Sequence, residues 1–166
     1  CFFVAAPVEL KATGLPKVFQ AKLPLHPEHP ERGFREYTVT PEGTEKAATL
    51  WISDKDAKAM QAGQTMRLME LFNITINSVT DKAVNASYAS ESYENVRKIK
   101  AQLIQWIPKG AEYQAEVVQQ DASVVQGYAE AACKKLKPDD IIQFERFGFV
   151  RVNEVGEKLV VYYAQK

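Results

Sequence analysis

Apolar and polar residues alternate one by one in stretch after stretch of this chain, and that period of two constrains its fold more than any other feature. Strand side chains point alternately to opposite faces, so the pattern suits sheets with one buried face. "PVELKAT" and "KVFQAKL" both show it, separated by the turn signal "GLP". The prolines between Pro24 and Gly33 in "PLHPEHPERGFREYTV" require a loop leading into a strand near Phe34 to Val39. "AATLWIS" is a further strand, and Met66 to Val79 reads as a long one. A turn at Thr80 to Lys82 and a return over Ala83 to Ala89 make a hairpin. Val96 to Ile107 reads as a second long strand bounded by Pro108-Lys109-Gly110. "EYQAEVVQQ", "SVVQGYAEAA" and "KLVVYYAQ" complete the set, with "LKPDDI" turning into "IIQFERFGFVRV".

Only Asp54 to Ala62 reads as a helix: Ser53 caps it, Asp56 completes a capping-box pattern, and Gly63 stops it. At least nine short strands and one short helix predict a mainly β, antiparallel fold, barrel or sandwich. Two small packed barrels would also fit, although composition places no boundary between them.

The balance of 21 Lys and Arg against 21 Asp and Glu excludes nucleic-acid binding by bulk attraction. If RNA is the ligand, local contacts hold it, or another part of a larger molecule supplies charge. The start at Cys1 reads as a cut within a longer polypeptide. No apolar run reaches the roughly 18 residues of a membrane span. Two cysteines are too few for a disulfide framework or a Cys-rich zinc site, which predicts a reducing, cytoplasmic setting. The glycosylation-like triplets at Asn73 and Asn85 fall inside strands and read as chance.

No catalytic motif is present: there is no G-x-S-x-G, no G-x-x-x-x-G-K, and no G-x-G-x-x-G after a strand. His26 and His29 form an H-x-x-H pair that lacks the further ligands a metal needs. The reading for that loop is packing, with His26 satisfying a backbone group, and no metal site is expected.

Five segments, in order, carry a family resemblance. "LHPEHPERGFRE" resembles the H-P-x-x-P-E-x-G-x-R segment of class I glutaminyl-type aminoacyl-tRNA synthetases. "MRLMELFN" resembles the R-L-M-x-L-x-N strand of archaeal and eukaryotic glutamyl-tRNA synthetases. "LIQWIP", "QGYAE" and "IIQFERFGFVRV" are similar to the I-x-W-V-P, G-x-A-E and Q-F-E-R-x-G-[FY] segments of the same enzymes. The resemblance implies a C-terminal anticodon-binding region of two packed β-barrels of the ribosomal protein L25 type. The proximal barrel is expected over about 1–70 plus 138–166, with a distal barrel over about 71–137 inserted. It further implies a glutamate–tRNA ligase whose N-terminal catalytic domain uses ATP, with Mg, and pairs with tRNA(Glu), with tRNA(Gln) as a second candidate. The H-I-G-H and K-M-S-K-S-like motifs of that domain are absent here, so this segment alone is expected to be inactive, without a cofactor of its own. Two other classes stay open: a stand-alone L25-type RNA-binding protein or a glutaminyl-tRNA synthetase C-terminal domain, and a protein-docking barrel with "ERFGF" at its edge.

By resemblance, Gln143 and Arg146 contact the middle anticodon base, a uridine. Arg67 and Lys58 match basic residues of the relatives, whereas Ala59 and Met69 depart from them, which leaves the third base unassigned. Arg97, Lys98 and Lys100 face either phosphates or plain solvent. Trp51 and Trp106 are expected in the core, and Arg32 and Arg35 in RNA binding or an interdomain contact. A surface ion pair is the competing role for Arg146. An unbroken strand would send Gln143 and Arg146 to opposite faces, so a shared base requires irregular backbone between Phe144 and Gly148, with Phe144 buried and Arg146 exposed.

Overall fold

The computed structural model describes residues 1–26 and 28–165; Pro27, one of the loop prolines, lies outside the described residues. In chain order the strands are β1 (Phe3–Ala5), β2 (Pro7–Thr13), β3 (Phe19–Pro24), β4 (Phe34–Val39), β5 (Ala48–Ser53), β6 (Thr65–Leu68), β7 (Asn73–Val79) and β8 (Ala83–Ser90). They continue with β9 (Leu103–Ile104), β10 (Ile107–Pro108), β11 (Glu112–Val118), β12 (Val124–Glu130), β13 (Ile141–Phe144), β14 (Gly148–Val155) and β15 (Leu159–Gln165). Two short helices, α1 (Asp54–Lys58) and α2 (Glu94–Arg97), interrupt them. No helix among the described residues is long and apolar enough to cross a membrane.

Two curled sheets carry the fold. The larger has seven strands in the order β10-β5-β2-β8-β7-β6-β9, the smaller six in the order β1-β12-β11-β15-β14-β13. Strands β3 and β4 form a separate hairpin. Alternation explains the strands directly: Val8, Leu10 and Ala12 of β2 turn inward, as do Tyr113, Ala115 and Val117 of β11.

Each sheet encloses its own apolar cluster, and β1 lies between them. Phe2 and Val4 enter the core of the seven-stranded sheet, while Phe3 enters the other. At Ala6, with φ 46°, the chain passes from one sheet to the other. Its N–H donates to Gln126 O (3.1 Å) and its carbonyl accepts from Asp54 N (3.2 Å), stitching the sheets together there.

Several expectations need correction. Met66 to Val79 is two strands, because the chain reverses at Met69–Phe72, with Glu70 at φ 57°. The apolar side chains of that turn, Leu71 and Phe72, are buried, which is why its composition mimics a strand. Val96 to Ile107 is also not one strand. It begins in α2, whose single buried residue is Val96, and Lys100 at φ 52° breaks the backbone beyond it. The remainder splits into β9, paired with β6, and β10, paired with β5. Helix α1 stops at Lys58, since the Met60 N–H donates to Ala57 O in a tighter, three-residue turn.

The two large sheets draw on interleaved parts of the chain. Strands β7 and β8 join β2 and β5, while β11 and β12 join β13–β15, so residues 71–137 do not share one sheet. Trp106 is buried and donates its Nε1–H to Met69 O (2.8 Å). Trp51 is only half-buried, edge-on against Tyr128 of the other sheet with ring centroids 5.2 Å apart.

Candidate nucleic-acid interface

The backbone of "IIQFERFGFVRV" breaks where a shared-base reading requires it. Strands β13 and β14 pair from Ile141↔Arg151 to Phe144↔Gly148, and Glu145 to Phe147 form the turn between them. Phe147 N donates to Phe144 O (2.9 Å), closing it. Arg146 takes φ 65° and Gly148 φ 143°, and glycine is favoured at the second because it has no Cβ. Phe144 is fully buried and stacks on Phe3 with centroids 4.9 Å apart. Phe147 meets Phe3 and Tyr163 edge-on, so aromatic packing pins both ends of the turn.

Side chains of the turn leave in different directions. Glu145 faces the hairpin, 3.7 Å from Arg35 Nη2, and its backbone carbonyl accepts from Gln105 Nε2. Arg35 is buried and pairs through Nε with buried Glu130, whose other contacts are Tyr37 Oη (2.8 Å) and Phe2 N (2.7 Å). Burial and the Glu130 carboxylate push the Tyr37 phenol well above its usual range. That network joins β4, β12 and β1 to the turn, so Arg35 has a structural role.

Arg146 faces the opposite way, onto α1 and β9. Its Nη1 donates to Asp56 Oδ2 (3.4 Å) and Leu103 O (3.1 Å), and Nη2 donates to Asp56 Oδ1 (3.2 Å). The ion pair that competed with RNA contact is therefore present. The arginine side chain nevertheless stays 45% exposed, against 8% for Asp56.

Arg67 lies beside this point, because β6 pairs Arg67 with Leu103. Its Nη1 donates to Asn73 Oδ1 (3.0 Å) and Glu91 O (2.7 Å), and its guanidinium stands 5.7 Å from the Tyr93 ring centre. Burial lowers its pKa from the ordinary arginine value, while Glu70, Tyr93 and Glu91 oppose that shift. Lys58, at the end of α1, is exposed and pairs with Asp54 (2.8 Å), whose hydrogen bond raises the ammonium pKa. Arg146 and Arg67 thus meet at the β6–β9 edge, through Leu103, while the recorded partner of Lys58 is Asp54 of its own helix.

Gln143 is not brought to the same place. It lines a cavity of about 820 Å³ with Phe34, Arg35, Tyr37, Lys135 and Ile142, on which Arg146 does not border. His26 borders that cavity too, and its Nδ1 accepts from the Glu28 N–H (3.2 Å).

Sequence reasoning missed two parts of this surface. Asp56 reads only as a helix start, because its partner Arg146 lies 90 residues away. Tyr93 and Ile99 are 47% and 62% exposed around α2, interleaved with Arg97, Lys98 and Lys100. Reading that segment as a strand hid the combination of aromatic, apolar and cationic groups that single-stranded nucleic acid favours.

Two matches in known families cover most of the chain. The family described as tRNA synthetases class I (E and Q), anti-codon binding domain, matches residues 1–94, and a second family of the same description matches residues 103–153. The chain is 40% identical over 166 residues to a glutamate–tRNA ligase of Pyrococcus abyssi. Identity is 36% over 166 residues to that of Pyrococcus horikoshii and 35% over 165 to that of Methanothermobacter thermautotrophicus. Each alignment covers 99% of this chain, but the chain spans only 27–28% of the length of these relatives.

Proposed function

Since the chain belongs to the anticodon-binding domain family of the class I tRNA synthetases for glutamate and glutamine, we propose that it holds the anticodon loop of tRNA(Glu) as one part of a glutamate–tRNA ligase. The whole enzyme would activate glutamate with ATP, with Mg, in an N-terminal catalytic domain and pass it to the tRNA in the cytoplasm. The observation that carries this reading is the strip Tyr93–Arg67–Leu103–Arg146, where exposed apolar groups and cations adjoin on one edge.

With zero net charge on this segment, its own share of the binding is local contact rather than bulk attraction. A splayed base offers a flat face to Tyr93 and carbonyl oxygens to arginine N–H groups. The middle uridine presents O2 and O4 as acceptors, which suit Arg146. Lys58, Lys98 and Lys100 serve the phosphates. Gln143 serves a second contact, to a base or ribose entering its cavity. Either donor or acceptor chemistry is open to its amide.

The test is Arg146→Ala in the full-length ligase. Cognate tRNA binding should weaken by about 1–3 kcal/mol, the usual scale for a lost base contact. Unaltered charging kinetics would refute the assignment of Arg146.

A further inference from the structure

Arginine has five N–H donors in a rigid plane, so counting those already engaged tells which edge is free. On Arg146, Nη1 uses both hydrogens, toward Asp56 Oδ2 and Leu103 O, and Nη2 uses one, toward Asp56 Oδ1. Among the described residues, Nε–H and the second Nη2–H remain without a partner. They lie parallel on the same side of the guanidinium, an arrangement suited to two neighbouring oxygen acceptors.

We infer that Asp56 is a positioning residue for Arg146: by occupying the end of the guanidinium, it turns the Nε–Nη2 edge toward RNA. The inference rests on the reading of Arg146 as an RNA contact and adds the group that aims it. Three elements fix the geometry. Asp56 is buried in the first turn of α1, where its N–H donates to Ser53 Oγ (3.1 Å). Gln102 Nε2 approaches Oδ1 at 3.5 Å from the segment leading into β9. On the other side, the turn holds Arg146 at φ 65° between the pinned Phe144 and Phe147.

A guanidinium fixed in this way offers donors in one orientation without having to order itself when RNA arrives. On a uridine the free edge gives one donor to a carbonyl oxygen, because N3–H separates O2 from O4. The other donor is then left for a phosphate oxygen or ribose hydroxyl. Releasing the guanidinium from Asp56 would let it pair with any acceptor in reach, at the expense of base discrimination.

The experiment uses the full-length ligase with a tRNA(Glu) transcript and one whose middle anticodon base is cytidine. KM for each tRNA, kcat and thermal midpoint are measured for wild type, Asp56→Asn and Arg146→Ala. Asp56→Asn should raise KM for the cognate tRNA about tenfold and leave kcat unchanged. It should also shrink the ratio of KM values between the two transcripts. An unchanged ratio would overturn the inference, whether or not affinity falls, since a merely structural role weakens both transcripts alike. If Asp56→Asn does not fold, Asp56→Glu is read instead: it keeps the charge but displaces the carboxylate. A smaller ratio then supports the inference and a wild-type ratio overturns it. Arg146→Ala separates the two levels. If that variant also keeps the wild-type ratio, the reading of Arg146 itself fails; if only the Asp56 variants keep it, the positioning role alone fails.

Discussion

Arg146 occupies the left-handed region in a hairpin turn where its neighbour Phe144 is fully buried and its own side chain is not. Such backbone costs an L-residue roughly 1–2 kcal/mol, and the contacts to Asp56 and Leu103 help offset it. Gly148, at φ 143°, has no such side-chain compensation available. Gly148→Ala should therefore lower stability by about 1–2 kcal/mol or more, measured as a denaturant midpoint shift at constant slope. The break in this strand was expected from the resemblance, since a base shared by Gln143 and Arg146 needs irregular backbone before Gly148; the break is present, although the two side chains do not meet. The destination of the guanidinium was not legible. Asp56 already had a sufficient local explanation as a helix start, and local pattern carries no record of a partner across the fold.

At the scale of elements, strands with a clean alternation, such as β2, β3 and β11, were readable because each has one buried and one more exposed face. The segments misread as strands are those whose apolar residues serve turns or very short pairings, at Met69–Phe72 and around α2. Nor does alternation reveal which strands are neighbours. The joint between β4, β12 and the start of the chain depends on a buried charge pair from residues 35 and 130, a partnership that neither strand's pattern shows. Glu130→Gln removes the carboxylate that Arg35, Tyr37 and the Phe2 N–H share. It should cost about 3–5 kcal/mol, because the guanidinium is left buried beside only the more distant Glu145. Chemical denaturation of Glu130→Gln beside Arg35→Ala and the double variant would measure the coupling; a sum of independent effects would contradict it.

For the whole molecule, the second core has a pH signature. Burial and the nearby Glu130 push the Cys133 thiol up from 9.0 to about 12. The unfolded chain gives up that proton first, so the stabilisation is complete below pH 9.0 and is lost as pH rises toward about 12. Denaturant midpoints followed through this window should fall, and Cys133→Ala should flatten the decline. In the native state the same thiol should resist alkylation at pH 8, since thiolate is the reactive form.

The placement of β1 also dictates an order of events during synthesis. Every strand of the seven-stranded sheet has been translated once Pro108 is made. Phe3, however, pairs with Ala129, and the rest of its sheet comes from residues 112–165. Within this segment β1 thus waits for more than a hundred further residues, with an apolar side chain that belongs to a core not yet made. Such a delay is the kinetic burden of non-local strand pairing. Of the two large sheets in this segment, the one that carries the Arg146 turn is consequently the later to have all its strands translated.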